Sequence, residues 1–184
     1  MNWENITYLN FGSAKQQKAY HCLNELQLFE KLKEYYPILT GSLPIDISIA
    51  SSDLDISCKY QDADKFENRL LSLFKNESHF TIVQKEKDGY WVVIASFLYQ
   101  DFEIEIYGSL FPVASQNAYR HMIIESRILR LLGEDFKHQI IQLKKDGLKT
   151  EPAFAHLLQI SGDPYQSLLA FESLTDAEIM KLWE

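Results

Sequence analysis

The sequence predicts an α+β fold, in which a small mixed β-sheet carries packed helices and is followed by a helical C-terminal region. Three observations support this prediction. Short apolar runs alternate with turn residues over residues 38–107, which is typical of strands. One amphipathic helix, 63–75, interrupts these runs, and residues 113–184 have helical periodicity throughout. We therefore expect an α+β core over residues 1–111 and a helical region over residues 112–184 packed on that core.

The predicted elements of the core follow in order. Ser13 is the predicted N-cap of a helix over 14–35, which ends before Pro37. Asp62 is the predicted cap of the helix over 63–75. Asp88 and Gly89 form a hairpin turn signal. Strands are predicted at 38–40, 53–59, 79–85, 90–99 and 102–107.

Glycine and capping residues divide the C-terminal region into helices. Helices over 114–132 and about 135–146 each end at a glycine. Thr150 is the predicted cap of a third helix, and a Gly-Asp-Pro run at 162–164 separates a fourth. Thr175 and Glu178 have the spacing of a capping box that opens the last helix.

Composition limits the classes of partner. The chain has 184 residues, of which 46% are hydrophobic and 24% charged, and its formal net charge is −8. These proportions are typical of a soluble globular protein. An acidic chain lacks the broad positive surface that binds nucleic acid, so we expect no large nucleic acid as a partner. No signal peptide or long apolar run is present, and the two cysteines lack metal-ligand spacing, so we expect a cytoplasmic protein with no membrane partner.

Two aspartates in one predicted strand are the strongest chemical signal. Asp53 and Asp55 lie on the same face because strand side chains alternate, while Leu54 and Ile56 lie on the other face. Carboxylate oxygens are the ligands that Mg²⁺ prefers, and Mg²⁺ is commonly bound together with substrate phosphates. The pattern predicts a site for Mg²⁺, or Mn²⁺, that acts on a phosphate-bearing substrate.

A later strand offers a third carboxylate. Glu103 and Glu105 alternate with apolar residues, so both are candidates. Glu105 is preferred because Ile104 and Ile106 place it in the middle of the strand. An ordinary solvent-exposed strand face is the alternative interpretation for both glutamates.

Gly41 and Ser42 end the first predicted strand, ten residues before Asp53. Glycine allows a ligand to approach the backbone closely. Turn amides and a serine hydroxyl can donate hydrogen bonds to an anion. The pair is therefore predicted to hold phosphates beside the metal site.

Together these residues resemble the nucleotidyltransferase superfamily with the polymerase-β-like fold. Its pattern is a Gly-Ser or Gly-Gly pair, about ten residues, an Asp-x-Asp or Asp-x-Glu strand, and a later acidic residue between apolar ones. Gly41-Ser42, Asp53-Leu54-Asp55 and Glu105 match it over roughly residues 14–110. The whole chain also resembles a family of small bacterial proteins of unknown function related to this superfamily, through stretches such as 116–122 and 148–153.

The resemblance implies a nucleotidyltransferase that transfers a nucleotidyl group from an NTP to a small-molecule or protein hydroxyl. It implies catalytic and metal-binding roles for Asp53, Asp55 and Glu105. Gly41 and Ser42 are then expected to hold the nucleotide phosphates. The predicted helix over 114–132 is expected to line the far wall of the site through Gln116, Arg120 and His121.

One departure from the superfamily leaves a second function open. No Lys or Arg lies between Ser42 and Ser57, where many of these transferases carry a residue that contacts the triphosphate. Positive charge then has to come from elsewhere, and Arg120, His121 and Lys149 are the candidates. The alternative is a non-catalytic module of the same fold that binds a nucleotide or a protein. Metal-dependent hydrolysis of a phosphate ester is a third possibility.

Overall fold

The computed structural model describes residues 2–87 and 89–183. Asp88, one of the two residues of the predicted hairpin turn, lies outside the described residues. The contacts divide the chain into two compact units: residues 1–46 with 52–119, and residues 47–51 with 120–184. The predicted division into a core over residues 1–111 and a helical region over residues 112–184 stays a prediction.

The first unit contains the sheet. Its helices are α1 (Ala14–Glu25), α2 (Leu28–Lys31) and α3 (Ala63–Phe74). Its strands are β1 (Ile38–Thr40), β2 (Leu54–Lys59), β3 (Ser78–Lys87), β4 (Tyr90–Tyr99) and β5 (Phe102–Ser109). Short 3₁₀ helices cover Ile6–Phe11, Lys33–Tyr35 and Val113–Ser115. The predicted strands and the helix capped by Asp62 are confirmed within a few residues.

The single helix predicted over 14–35 is wrong, because the chain breaks at Gln27. Gln27 has a φ of 54°, a left-handed conformation that ends α1 and starts the one-turn helix α2. Leu26 and Leu28 are both buried. Residues two apart lie on nearly opposite sides of a continuous helix, so the break allows both leucines to enter the core.

The five strands form one mixed sheet in the order β1-β2-β5-β4-β3. β2 and β5 are parallel, and the other neighbouring pairs are antiparallel. One face carries the hydrophobic core, which includes Leu54, Ile56, Ile104 and Ile106. The residues that alternate with them lie on the opposite, polar face. The α+β class predicted from the sequence is confirmed.

The second unit is helical. It contains α4 (Asn117–Lys145), whose first three residues belong to the first unit, α5 (Thr150–Leu157), α6 (Pro164–Leu169), a 3₁₀ turn (Ala170–Ser173) and α7 (Asp176–Met180). Gly133 interrupts α4 with non-helical angles, as the sequence predicts. The capping box at Thr175 is confirmed, whereas the N-cap of α5 is Lys149 rather than Thr150. Within the described residues, no helix combines the length and apolarity that a bilayer crossing requires.

Candidate functional site

The polar face of the sheet forms one wall of a pocket of about 440 Å³. This volume lies in the range of small-molecule sites. All of its lining residues belong to the first unit. They come from every strand and from the segment that leads into α4: Thr40, Asp55, Ile56, Ser57, Lys85, Lys87, Tyr90, Ile94, Glu105, Tyr107, Ser109, Phe111, Ser115, Gln116, Asn117 and Ala118.

Two of the predicted carboxylates meet in this pocket. Asp55 of β2 is in register with Glu105 of the parallel strand β5. Residues in register on neighbouring strands lie about 4.8 Å apart along the hydrogen-bonding direction, with side chains on the same face. Both side chains are half-buried and line the pocket. The sheet thus places an acidic pair at one side of the cavity.

The structure distinguishes Glu105 from Glu103. Glu103 is exposed and pairs with Leu98 of β4. Among the residues that the structure describes, Glu105 lines the pocket and Glu103 does not. Only Glu105 therefore has the position from which a carboxylate can act together with Asp55.

The backbone at Gly41 lies directly against the side chain of Asp55. Gly41 has a φ of +76°, and a Cβ atom built there would lie 2.3 Å from Oδ2 of Asp55. Any side chain at this position would force the Asp55 carboxylate to move. The backbone angle and the carboxylate therefore both favour glycine here.

Ser42 follows Gly41 and Asp53 lies two residues before Asp55, but neither side chain lines the pocket of about 440 Å³. The Ser42 hydroxyl donates a hydrogen bond to Oγ of Ser52 at 3.5 Å. Asp53 precedes β2, and its carboxylate interacts with the ammonium of Lys15 on α1. Burial lowers the pKa of Lys15, and the Asp53 charge opposes that shift. Lys15 Nζ also donates to the backbone oxygen of Ser52 at 3.1 Å.

The three predicted metal ligands do not form one cluster. Within residues 2–87 and 89–183, no group of three or more His, Cys, Asp or Glu side chains is arranged to hold a metal ion. Asp55 and Glu105 share the pocket, whereas Asp53 does not line it. The acidic pair nevertheless fits Mg²⁺, because protein sites commonly hold Mg²⁺ through one or two carboxylates and complete its shell with substrate phosphates and water.

Gln116 lines the pocket but has a structural role as well. Its Nε2 donates to the backbone oxygens of Cys58 at 2.9 Å and Phe111 at 3.0 Å. These two bonds tie the segment before α4 to β2. Its Oε1 is buried, with no hydrogen-bond partner among the described residues.

Arg120 and His121 have partners inside the helical unit. Arg120 forms a two-pronged ion pair with Glu172, both contacts measuring 2.8 Å. His121 is 5% exposed; its Nδ1 lies 3.2 Å from Oε1 of Glu151, and its Nε2 lies 2.9 Å from the backbone oxygen of Tyr165. These contacts explain both residues structurally, and their predicted contact with a nucleotide stays a prediction.

Sequence reasoning missed the cationic and aromatic parts of the pocket. Lys85 and Lys87 of β3 line it, as do Tyr90 and Phe111, whose rings form an edge-to-face pair at 4.8 Å. In the sequence the two lysines are indistinguishable from an ordinary exposed strand face. Their spacing of two residues indicates that both side chains lie on one face of β3. That face can be assigned to the pocket only when the order of the strands in the sheet is known.

The sequence of the chain matches one known family. A family described as a domain of unknown function (DUF4269) matches residues 21–171. The chain belongs to this family. No curated protein matches the chain. The predicted resemblance to a family of unknown function is therefore confirmed, and the bacterial origin of that family stays a prediction.

Solved structures show which fold the DUF4269 chain has. It is similar to the RNA terminal uridylyl transferase Cid1, with a TM-score of 0.54 and 15% identity over 85% of this chain and 48% of Cid1. For Cid1 in complex with a UTP analogue, the TM-score is 0.51 and the sequence identity 17%, over 85% of this chain and 47% of that one. For the GLD-2/RNP-8 complex, the TM-score is 0.53 and the identity 14%, over 91% of this chain and 75% of that one. The chain spans about half the length of Cid1, and its fold is nucleotidyltransferase-like.

Proposed function

We propose that the chain is a metal-dependent nucleotidyltransferase that transfers a nucleotidyl group from an NTP to a small-molecule or protein hydroxyl. One observation carries the proposal: Asp55 and Glu105 lie in register on parallel strands and line one pocket of a nucleotidyltransferase-like fold. The backbone of Gly41 packs against Asp55 so closely that a Cβ atom there would displace the carboxylate. Cid1, which has a similar fold, has been solved with MgGTP bound.

In this proposal Asp55 and Glu105 would hold Mg²⁺ or Mn²⁺, and Asp53, two residues before Asp55, would be the third carboxylate near the ion. The ion supplies positive charge that stabilises the negative charge developing on the transferred phosphate. Gly41 and Ser42 present backbone and hydroxyl donors to the nucleotide phosphates. Gln116 positions the segment between β5 and α4 at the wall of the pocket.

The proposed transfer exchanges one bond at the α-phosphorus for another. The acceptor oxygen forms a bond to the α-phosphorus, and the bond from that phosphorus to the β-phosphate oxygen breaks, so that pyrophosphate leaves. The acceptor's hydroxyl proton passes to the carboxylate of Glu105. Catalysis then depends mainly on position and charge, as is usual for phosphoryl transfer.

The first prediction concerns the acidic pair. Asp55→Asn and Glu105→Gln each remove one negative charge with little change in shape, and we expect each to lower transfer of labelled NMP at least about a hundredfold because the cation loses a ligand. The measurement is NMP transfer and pyrophosphate release over a panel of the four NTPs with Mg²⁺ or Mn²⁺, with cell extract fractions as acceptors.

Glu103→Gln is the matched control, since it makes the same change on the same strand outside the pocket. We expect this variant to retain wild-type transfer. If it loses activity while Glu105→Gln keeps it, the assignment of the third carboxylate is wrong. If all three variants match the wild type, no part of the acidic pair acts in the transfer.

A non-catalytic nucleotide- or protein-binding module is the second candidate. The observation in its favour is that the described residues hold no group of three potential metal ligands. Nucleotide binding that needs no metal, persists in Asp55→Asn and gives no transfer or pyrophosphate release with any NTP would support the module and exclude the transferase.

A further inference from the structure

Two lysines of β3 lie in the same pocket as the acidic pair. Lys85 and Lys87 are two residues apart, so their side chains leave the strand on the same face. Both are exposed. Within the described part of the chain, neither lysine forms an ion pair with a carboxylate. Two ammonium groups thus line a pocket whose other side is acidic.

β3 is an edge strand, and lysines on edge strands commonly prevent pairing with other chains. The position of Lys87 points to a different role. Its Nζ lies 5.8 Å from the ring centroid of Tyr107, which belongs to β5. β4 separates β3 from β5 in the sheet, so the Lys87 side chain extends inward across β4 and over the pocket.

The positions of these charges match an extended anion. Two strand spacings, about 10 Å, separate the backbones of β3 and β5. Tyr107 lies two residues after Glu105 on β5, so the ammonium of Lys87 reaches toward the strand that carries a carboxylate. A phosphate chain bound through a cation at the acidic pair therefore has ammonium groups within reach along its length. Lysine binds phosphate through its point charge and its three donors.

The same residues supply the charge that is missing from the segment after Ser42. No Lys or Arg lies between Ser42 and Ser57. The hairpin formed by β3 and β4 brings Lys85 and Lys87 to the pocket, although they follow Ser42 by more than forty positions in the sequence. Positive charge at the site thus comes from the opposite edge of the sheet.

We propose that Lys85 and Lys87 form an anion subsite that binds the phosphate chain of the nucleotide across the pocket from Asp55 and Glu105. The identity of the ligand as a nucleotide rests on the proposed function, whereas the subsite itself rests on the lysines. Tyr107 supports the subsite by holding the Lys87 ammonium over its ring.

The test is binding of inorganic tripolyphosphate, with and without Mg²⁺, and of each NTP with Mg²⁺, followed by isothermal titration calorimetry. We expect Lys85→Gln/Lys87→Gln to weaken binding of tripolyphosphate and of the NTP about tenfold or more, because charged hydrogen bonds to the phosphates are lost. Lys18→Gln/Lys75→Gln is the matched control, since both of these lysines are exposed and lie outside the pocket. We expect the control to bind as the wild type does.

The outcomes separate the subsite from the proposed function. Weaker tripolyphosphate binding in Lys85→Gln/Lys87→Gln, with no NMP transfer by the wild type, supports the subsite and rejects the transferase. Unchanged binding in that variant, with transfer that Asp55→Asn abolishes, overturns the subsite and leaves the transferase standing. A wild-type protein that binds neither tripolyphosphate nor any NTP also overturns the subsite.

Discussion

At the scale of single residues, Gly41 constrains the site most tightly. Its φ of +76° disfavours any L side chain, and a Cβ atom would lie 2.3 Å from Oδ2 and 3.2 Å from Cγ of Asp55. A substitution therefore has two separate effects. It strains the backbone, and it forces the Asp55 carboxylate to move.

Gly41→Ala tests whether the position of Asp55 matters for function. We expect a loss of stability of about 1–3 kcal/mol from the backbone strain and the clash. We also expect metal-dependent transfer to fall at least about tenfold, since the carboxylate is displaced. Chemical denaturation measures the first effect, and NMP transfer measures the second.

Gly147→Ala separates strain from displacement. Gly147 has a φ of +104°, and no atom lies within 4 Å of the position that its Cβ would occupy. We expect this variant to lose stability without losing transfer. Equal transfer by the two variants would mean that the contact between Gly41 and Asp55 has no functional role.

At the scale of elements, α4 and α5 enclose a buried polar cluster that has no part in the proposed function. Glu125 is 2% exposed and lies near Lys144, which is 6% exposed, and near Glu151. Burial and the Glu151 charge raise the pKa of Glu125 to about 8, against the opposing effect of Lys144. Burial also raises the pKa of Glu151, but hydrogen bonds from His121 and from backbone, together with the charges of His121 and Lys144, lower it below its usual value.

The raised pKa of Glu125 makes the stability of the chain depend on pH. In the unfolded chain a glutamate releases its proton near pH 4.3, whereas folded Glu125 keeps its proton up to about pH 8. The folded state therefore binds one more proton between these values, and stability falls as the pH rises through this window. Glu151 acts in the opposite sense: because its pKa is lowered in the folded protein, its contribution to stability is lost only as the pH falls below the ordinary glutamate value.

Glu125→Gln removes this dependence. Between about pH 5.5 and 7.5 we expect the free energy of unfolding of the wild type to fall relative to that of Glu125→Gln, on the order of 2 kcal/mol. Urea denaturation at the two pH values measures the difference. Glu134→Gln, an exposed change on the same helix, is expected to keep the wild-type dependence. Parallel pH profiles for wild type and Glu125→Gln would show that Glu125 is ionised in the folded protein throughout.

At the scale of the whole molecule, net charge argues against a nucleic acid as the acceptor of the proposed transfer. Cid1 is an RNA terminal uridylyl transferase, but this chain carries a formal net charge of −8. Lys85 and Lys87 are two cations in a pocket of about 440 Å³ and do not form an extended basic surface. Electrostatic attraction supplies most non-specific affinity for nucleic acid, so a long RNA gains little from this surface.

The corresponding prediction is that single-stranded RNA is not a ligand. In fluorescence anisotropy at about 150 mM salt, we expect a labelled oligouridylate to remain unbound up to roughly 100 µM protein. Mononucleotide binding by the same preparation serves as the positive control. Tight binding of the RNA with a steep salt dependence would show that a nucleic acid is the acceptor.

The sequence by itself determined the fold class and the strand faces on which the candidate site residues lie. Alternation and turn residues identified the strands, because the side chains of a half-buried strand face core and solvent in turn. The same alternation put Asp55 and Glu105 on polar faces opposite Leu54 and Ile104. Capping residues such as Ser13 and Thr175 marked helix starts, since their hydroxyls satisfy local backbone donors.

Only the tertiary structure decided which polar residues share a pocket. Alternation gives the face of a strand but not its neighbour. The parallel pairing of β2 with β5 places Asp55 opposite Glu105, and the β3–β4 hairpin brings Lys85 and Lys87 to the same face. The helical spacing of apolar residues also failed to predict the break at Gln27. The break occurs because Leu26 and Leu28 are both buried, which a continuous helix would not allow. Contacts between residues distant in sequence leave no pattern in the nearby sequence. These contacts set the distances between the side chains of the site, and catalysis depends on those distances.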